Sequence, residues 1–199
     1  MIKQKNIGEL IIISGTTCAG KGSVIHKLLE NHNDILLSTS YTSRPKRENE
    51  IHGKDYNFVK EDDFAIKVAV GDITCFESYK VANGDIWMYG YMKKDLYNGC
   101  IMALNPKSIE QLKQDGYKVV SINLYIPEYI RIYRILKRKD NQGTKEIIRR
   151  SKQDKLEFKK YKFDYKVKNR NLDKTVDSIL DIISKELTTI INHKGIIAE

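Results

Sequence analysis

Near its start the chain reads LIIISGTTCAGKGSVIHKLLE, an apolar run, a turn of small residues with one lysine, and a second apolar pattern. The apolar run predicts a buried strand over Ile7–Ser14, and the later pattern has the spacing of a helix over Lys21–Glu30. Between them lie Gly15, then four other residues, then Gly20 and Lys21. This is the spacing of a phosphate-binding loop. The alternative is an ordinary glycine turn before a helix, but the strand–loop–helix order favours the phosphate loop.

The chemistry of such a loop comes mainly from its backbone. Its N–H groups converge on phosphate oxygens, and the following helix adds its positive N-terminal end. Lys21 supplies a point charge that can follow the β- and γ-phosphates of ATP. Gly22 stands where the strict pattern has Ser or Thr, so Ser23 is the hydroxyl that could reach a phosphate or the shell of a Mg²⁺ ion. The predicted ATP-binding residues of the loop are Gly15, Thr16, Thr17, Cys18, Ala19, Gly20, Lys21, Gly22 and Ser23.

A second motif reads STSYTSRPKRENEIHGKDYNFVKEDDF. Its arginines present planar forks that suit phosphate oxygens, and its hydroxyl groups can complete the shell around them. Pro45 keeps Arg44 extended and away from helical geometry. Alone, the stretch could equally be a basic surface loop.

Positive charge is concentrated late in the chain. Residues 131–170 hold 16 Lys and Arg against 5 Asp and Glu, while the rest of the chain holds 19 against 21. This excess indicates either a polyanionic ligand or a solvated helical face rich in lysine.

Together these motifs resemble the guanylate kinase family. The G-K-G-S form of the first loop is similar to that of small nucleotide kinases. The second motif matches the family pattern, which is a serine, then T-T-R-P, then a further arginine, then G-x-D-Y-x-F. The match has no gap, and its positions are Ser40, Thr42, Arg44, Pro45, Arg47, Gly53, Asp55, Tyr56 and Phe58. The resemblance implies that the phosphate of a nucleoside monophosphate is held by Ser40, Arg44, Arg47 and Tyr56.

The basic segment YRILKRKDNQGTKEIIRRSKQDK resembles the lid of this family. The resemblance implies that Arg138, Arg149 and Arg150 clamp phosphates and act in catalysis with Lys21 and Arg44. Lys139 replaces the family's glycine after the first arginine, and Arg134 is an alternative contributor. Asn169, after YKFDYKVK, corresponds to an asparagine near the adenine, or is a plain turn residue.

The base-reading positions depart from the family pattern. A gap-free alignment places Cys75 where the family has a glutamate, and Glu77 lies two residues later. The candidate base-reading residues are Cys75, Glu77, Tyr89, Tyr91 and Asn105. A thiol is a weak partner for guanine, so either the base is read differently or Glu77 enters the site through a bulge.

Alternating strands and helices predict an α/β fold, with a parallel sheet flanked by helices. The resemblance implies one domain with a P-loop NTPase core, an inserted mixed α/β monophosphate-binding lobe and a helical lid. The core comprises residues 1–40, 92–135 and 164–199, the lobe 41–91 and the lid 136–163. Further strands are expected over Leu36–Ser40, Cys100–Leu104, Lys118–Tyr125 and Tyr165–Val167, and helices near Glu61–Val70, Lys107–Gln114, after Pro127, and from Leu172 to Ile190.

The resemblance implies ATP-dependent phosphoryl transfer to a nucleoside monophosphate, GMP or dGMP first, with ATP and Mg²⁺ as cofactors. The alternatives are a kinase for another nucleotide or a sugar phosphate, a non-catalytic module that binds phosphoproteins, and a nucleic-acid binder. Nucleic acid and membranes are not expected partners, and the sequence leaves the oligomeric state open. The chain starts with the polar segment MIKQKNIGEL, its apolar runs are short, and its three cysteines show no spacing typical of a metal site or a disulfide framework. These features predict a cytoplasmic protein.

Overall fold

The computed structural model describes residues 9–32, 35–81, 84–137 and 143–195. Within these ranges the strands form two sheets, with helices packed around them. The strands are β1 (Leu10–Gly15), β2 (Tyr41–Thr42), β3 (Asn57–Phe58), β4 (Ile73–Lys80), β5 (Ile86–Met92), β6 (Ile101–Met102), β7 (Val119–Tyr125) and β8 (Tyr165–Lys168). The helices are α1 (Lys21–Asn31), α2 (Glu61–Ala69), α3 (Pro106–Gln114), α4 (Glu128–Lys137), α5 (Gly143–Lys160) and α6 (Leu172–Gly195), with a short 3-10 turn at Lys93–Asp95.

The first sheet is parallel, in the order β6-β1-β7-β8. Alternate residues of β1 face opposite sides: Ile11 and Ile13 pack in the core beneath α1 and α6, whereas Leu10 and Ile12 pack in the core beneath α3. Burial on both faces explains the uninterrupted apolar run Leu10–Ile13 in β1. The loop after β1 consequently lies at the carboxyl edge of the sheet, where parallel α/β folds bind their ligands.

The second sheet has the order β3-β2-β5-β4, and its strands are antiparallel except for the β2–β3 pair. Helix α2 packs against it through Phe64, which is fully buried. These elements lie within residues 41–92, and the division of the chain into core, lobe and lid stays a prediction.

Strand β4 contains a bulge. Thr74 pairs with Tyr91 and Glu77 with Tyr89, so three steps along β4 match two along β5. Cys75 takes up the extra residue in a left-handed conformation, with φ of 53°. Because side chains alternate across a strand, one inserted residue moves every later side chain to the opposite face of the sheet.

Most predicted elements are confirmed, as is the α/β class with a parallel sheet flanked by helices. The expected strand over Leu36–Ser40 is wrong: Leu37 forms only an isolated bridge with Ile101. Of its two leucines, Leu37 packs against the core, whereas Leu36 is exposed. Among the described helices, none is long and apolar enough to cross a membrane.

Candidate active site

The loop between β1 and α1 is tightly packed against the carboxyl edge of the first sheet. A Cβ at Gly15 would lie 2.8 Å from the Leu124 carbonyl oxygen, and one at Gly20 would lie 2.5 Å from Asn169 Nδ2. Gly20 also has φ of 98°, which side-chain-bearing residues rarely adopt. Lys21 Nζ donates to the Gly15 carbonyl, so the lysine is folded back across its own loop.

Asn169 and Arg134 hold the outer side of this loop. Asn169 Nδ2 donates to the Ala19 carbonyl at 2.8 Å, and its Oδ1 accepts from Thr175 Oγ1 at 3.2 Å. Arg134 Nη1 reaches the Cys18 and Ala19 carbonyls at 3.4 Å. The structure therefore places both predicted residues beside the phosphate loop.

A cleft of about 870 Å³ joins this loop to the second motif. Its walls include every residue from Thr16 to Ser23, together with Arg44, Arg47, Tyr56, Arg134, Lys137, Asn169 and Arg170. The cleft thus brings the predicted ATP-binding loop and the predicted acceptor-phosphate arginines to one space. Ser40 lies next to it, in the wall of a smaller cavity that also includes Lys21 and Tyr56.

Arg44 is held in place by Glu50, a residue that sequence reasoning missed. Arg44 Nη1 and Nη2 donate to the two Glu50 carboxylate oxygens at 2.9 and 2.8 Å, and the Arg47 backbone N–H donates to Glu50 at 2.9 Å. The Arg44 side chain is only 3% exposed, and its guanidinium lies 5.1 Å from the centre of the Tyr56 ring. Burial alone would raise the pKa of Glu50, but these hydrogen bonds outweigh it and lower the pKa.

Glu77 faces the smaller cavity, of about 210 Å³. Its Oε1 accepts from Asn105 Nδ2 and from Ser108 Oγ, the latter at 2.6 Å, and its Oε2 accepts from the Tyr79 hydroxyl. Asn105 is in turn the N-cap of α3, because its Oδ1 accepts from the Ser108 N–H at 2.9 Å. Because of the bulge in β4, Glu77 pairs with Tyr89 of β5, and Tyr79, two residues further along β4, lies on the same face as Glu77.

The other two candidate base-reading residues, Cys75 and Tyr91, are buried in the wall of this cavity. Cys75 Sγ lies 3.6 Å from the Ser108 carbonyl oxygen, and burial raises its pKa to about 12. The Tyr91 hydroxyl donates to the Ala103 carbonyl at 3.1 Å and accepts from the Ala103 N–H at 3.2 Å. Both side chains are therefore engaged with backbone groups of the protein.

A row of tyrosines connects the two ends of the site. The Tyr79 and Tyr89 rings lie 5.8 Å apart, and the Tyr89 and Tyr56 rings 6.1 Å apart, both edge to face. Such spacing is within the favourable range for aromatic pairs. This tyrosine row runs from Glu77 to the ring that packs on Arg44.

Helices α4 and α5 are joined by a buried polar contact. Arg131 is 3% exposed; its Nη1 donates to Ser151 Oγ at 2.6 Å, and its Nε donates to Glu128 at 2.8 Å. Lys155 Nζ lies 2.9 Å from the same Glu128 carboxylate. Among the clamping arginines predicted from the sequence, Arg138 lies outside the described residues; Arg149 and Arg150 lie on α5, but their side chains are outside the described part.

The Glu128 contact should depend on pH. Hydrogen bonds from Arg131 and then Lys155 lower the pKa of Glu128 from 4.5 to about 2. A depressed folded-state pKa means that the stabilisation is complete above about pH 4.5 and is lost as the pH falls toward about 2. We therefore expect the Tm difference between the wild type and Glu128→Gln to be constant above about pH 5 and to shrink below it. Glu30→Gln, at an exposed pair with Lys27, is the control and should show little difference at any pH.

Helix α5 also reaches the phosphate loop. The Thr17 backbone N–H donates to Asp154 Oδ2, so a carboxylate occupies a donor of the predicted phosphate-binding loop. Asp154 and Glu157 both line the smaller cavity. The sequence pattern gave no sign of this contact, since the two segments are 137 residues apart.

Helix α1 and the second motif are linked by one further contact that the sequence did not reveal. His26 Nε2, on α1, lies 3.0 Å from Asp55 Oδ1, and Asp55 Oδ2 accepts from the Ile51 N–H at 2.8 Å. Asp55 was matched by the G-x-D-Y spacing, whereas nothing marked His26. This contact ties the helix of the phosphate loop to the segment that carries Tyr56.

Comparisons with known proteins give consistent matches in sequence and in fold. The family model described as guanylate kinase matches residues 7–186. A guanylate kinase of Wolbachia pipientis is 31% identical over 190 residues, covering 92% of both chains, and one of Thermotoga maritima is 27% identical over 198 residues, covering 94% of this chain and 91% of its own. In fold, the chain is similar to the crystal structure of guanylate kinase from Anaplasma phagocytophilum, with a TM-score of 0.64, 24% identity and coverage of 92% of this chain and 87% of that one.

Proposed function

Because this chain belongs to the guanylate kinase family, we propose that it transfers the γ-phosphoryl group of ATP to GMP and dGMP. The main support is the placement of a carboxylate, Glu77, and an arginine, Arg44, at opposite ends of the tyrosine row, with the phosphate loop beside them. One end can bind a base and the other a phosphate. This arrangement suits a nucleoside monophosphate that points its phosphate toward the loop.

The acceptor's phosphate is assigned to Ser40, Arg44, Arg47 and Tyr56. The Glu50 carboxylate accepts one N–H from each terminal nitrogen of Arg44. The Pro45 carbonyl accepts a further N–H from Nη1 at 2.8 Å. Arg44 has five N–H donors, so Nε–H and one Nη2–H remain for phosphate oxygens. Glu50 therefore orients the arginine without consuming all of its donors.

The base is assigned to Glu77 rather than Cys75. A carboxylate can accept from guanine N1–H and from the 2-amino group, whereas a thiol is a weak partner for both. Cys75 is 3% exposed and engaged with the Ser108 carbonyl, while Glu77 faces the cavity. Adenine would present the lone pair of its N1 to the same carboxylate and be repelled.

The donor is assigned to the loop from Gly15 to Ser23, with Asn169 at its outer side. Lys21 would turn from the Gly15 carbonyl to the β- and γ-phosphates when they are present. Among the described residues, no group of three or more His, Cys, Asp or Glu side chains could hold a metal. This fits Mg²⁺, which is usually held by phosphates, water and one or two protein oxygens. Ser23 would contribute to its shell, and the ion would neutralise charge on the transferred group.

Arg138, Arg149 and Arg150 are assigned to the transition state of the transfer, as the family resemblance implies. Transfer of a phosphoryl group depends mostly on positioning and charge neutralisation, which clamping arginines provide. A reaction that consumes ATP also suits the cytoplasmic location expected from the sequence.

The test of this function is the replacement of Glu77 by glutamine. With Mg-ATP as donor, kcat/KM for GMP should fall by about 100-fold or more, because a neutral amide presents a donor to the base edge where an acceptor is needed. The activity toward AMP should not fall. Cys75→Ala is the control and should stay within about threefold of the wild type for GMP, because the thiol is engaged elsewhere.

Two results would contradict the proposal. A collapse of GMP turnover in Cys75→Ala but not in Glu77→Gln would move base reading to the thiol. If the wild-type protein transferred phosphate to another nucleotide or to a sugar phosphate, but to neither GMP nor dGMP, the assignment of the acceptor would be wrong.

A further inference from the structure

We propose that His26 is a positioning residue for the phosphoryl transfer. Through Asp55, it holds the turn that leads into Tyr56 against the helix that follows the phosphate loop. This inference rests on the proposed function and gives a role to a histidine outside the candidate active site. It follows from the hydrogen bonds around one carboxylate.

His26 belongs to a helix that is directly connected to the phosphate loop. Helix α1 begins at Lys21, at the end of the loop, and the buried side chains of Val24 and Leu28 pack it onto the first sheet. His26 lies in the same stretch of the helix, but 40% of its side chain is exposed, and its Nε2 is 3.0 Å from Asp55 Oδ1. This contact therefore constrains the position of Asp55 relative to the loop.

Asp55 in turn organises the turn at residues 51–56. Its Oδ2 accepts from the Ile51 N–H at 2.8 Å, and its own N–H donates to the Ile51 carbonyl at 3.0 Å. The Gly53 N–H donates to the Tyr56 carbonyl at 2.9 Å, which closes the turn onto Tyr56. One oxygen of the carboxylate thus holds the turn together, and the other holds it to α1.

The turn has one polar link to α1. Among the described residues, the other hydrogen bonds of residues 51–55 stay within the second motif, as when the Phe58 N–H donates to His52 Nδ1 at 3.2 Å. From Asn57 onward the chain forms β3, which pairs with β2 of the second sheet. The turn therefore depends on this link for its position relative to the phosphate loop.

That position affects the proposed acceptor-phosphate site. The Tyr56 ring centre lies 5.1 Å from the Arg44 guanidinium, and both residues line the cleft together with Asp55 and the phosphate loop. Phosphoryl transfer requires the attacking and leaving oxygens to be roughly in line. A misplacement of about 1 Å can lower the rate by about 100-fold. Loss of the link would thus leave the acceptor's phosphate less precisely placed against the donor.

A contribution to stability alone is the alternative explanation of this pair. The side chains of His26 and Asp55 are 40% and 19% exposed, and pairs exposed to water typically contribute little to stability. The buried bonds between Arg44 and Glu50 do not involve this pair, so they remain when it is removed. We therefore expect the Tm of a His26 variant to stay within about 4 °C of the wild type.

The experiment replaces His26 by leucine, which removes the donor, and by glutamine, which keeps one. With Mg-ATP as donor, His26→Leu should lower kcat for GMP by about tenfold and raise KM for GMP by about threefold, with less than about a twofold change in KM for ATP. His26→Gln should recover most of this loss, because its amide can still donate to Asp55. His32→Ala, at the C-terminal end of α1, is the matched control and should equal the wild type.

A double-mutant cycle tests whether His26 acts through Asp55. Asp55→Ala removes both carboxylate oxygens, so the addition of His26→Leu to it should lower kcat/KM for GMP by less than about twofold further. If Asp55→Ala does not fold, the comparison of His26→Leu with His26→Gln decides alone.

Three results would overturn the inference: wild-type kinetics in His26→Leu, equal impairment of His26→Leu and His26→Gln, or losses that simply multiply in the double variant. A rise in KM for ATP as large as that for GMP would also contradict it, since a general structural defect acts on both substrates. Failure of the wild type with GMP would overturn the proposed function instead. The same variants would then be compared with the acceptor that the wild type does use, because the link concerns the acceptor's phosphate and not its base.

Discussion

Lys21→Ala is expected to lower kcat for phosphoryl transfer to GMP by about 100- to 1,000-fold, the usual effect of losing one well-placed donor to developing charge. In the structure the lysine is folded onto the Gly15 carbonyl, beside the cleft where phosphates would enter. The side chain lies at the loop rather than in the apolar core, so the free energy of unfolding should change by less than about 1 kcal/mol. Steady-state kinetics with varied ATP, together with urea unfolding, measure both quantities.

Lys27→Ala is the matched control for this variant. Lys27 is on the same helix, and its ammonium lies 3.8 Å from Glu30 in an exposed pair on the helix surface. Removing it takes away the same charge from the protein without touching the loop, so turnover should stay close to that of the wild type. Near-normal turnover in Lys21→Ala would show that the donor binds elsewhere.

Arg44→Met is expected to destabilise the protein by about 3–5 kcal/mol and to raise KM for GMP, with little change in KM for ATP. The loss of stability arises because Glu50, 13% exposed, would lose the contacts of both its oxygens with Arg44 and keep only the Arg47 backbone N–H at 2.9 Å and the Arg47 guanidinium at 3.7 Å. The effect on GMP arises because the two remaining N–H donors of the guanidinium would no longer meet the acceptor's phosphate.

A double-mutant cycle separates these two effects. In Arg44→Met/Glu50→Gln the buried charge that lost its closest partner is removed as well, so stability should recover part of the loss while KM for GMP stays high. Arg44→Lys should keep the charge but lose the two-pronged contact, and should fall between the wild type and Arg44→Met. If the double variant recovered GMP affinity as well as stability, Arg44 would have a structural role only.

Local patterns explain what could be predicted from the sequence. The strand, loop and helix around Lys21 are adjacent in the chain, and glycine spacing determines their geometry. Arg44 and the residues around Tyr56 are also close in the chain, and their spacing matches the family motif without a gap. The Leu36–Ser40 prediction failed for the opposite reason: a strand needs a partner, and the neighbouring β6 is only Ile101–Met102.

The position of the carboxylate proposed to bind the base could not be predicted from local spacing in the same way. A bulge adds one residue to a strand, and here that residue is a cysteine in a left-handed conformation, where a glycine would have been the usual signal. The gap-free alignment therefore stopped at Cys75, and only the register of β4 against β5 brings Glu77 to the cavity. The partners of Glu77 on α3, and the contact of Asp154 with Thr17, join segments far apart in the chain.

The carboxylate of Asp154 gives the phosphate loop an internal counter-ion. If a nucleotide binds at this loop as proposed, its entry would exchange one anion for another, because a phosphate oxygen and Asp154 Oδ2 would compete for the same Thr17 N–H. The measured binding free energy of a nucleotide would then include the difference between the free energies of the phosphate and carboxylate contacts with this N–H, rather than the full free energy of the phosphate contact. On release the exchange would run in reverse, and the returning carboxylate would supply an acceptor to the loop as the phosphate leaves it.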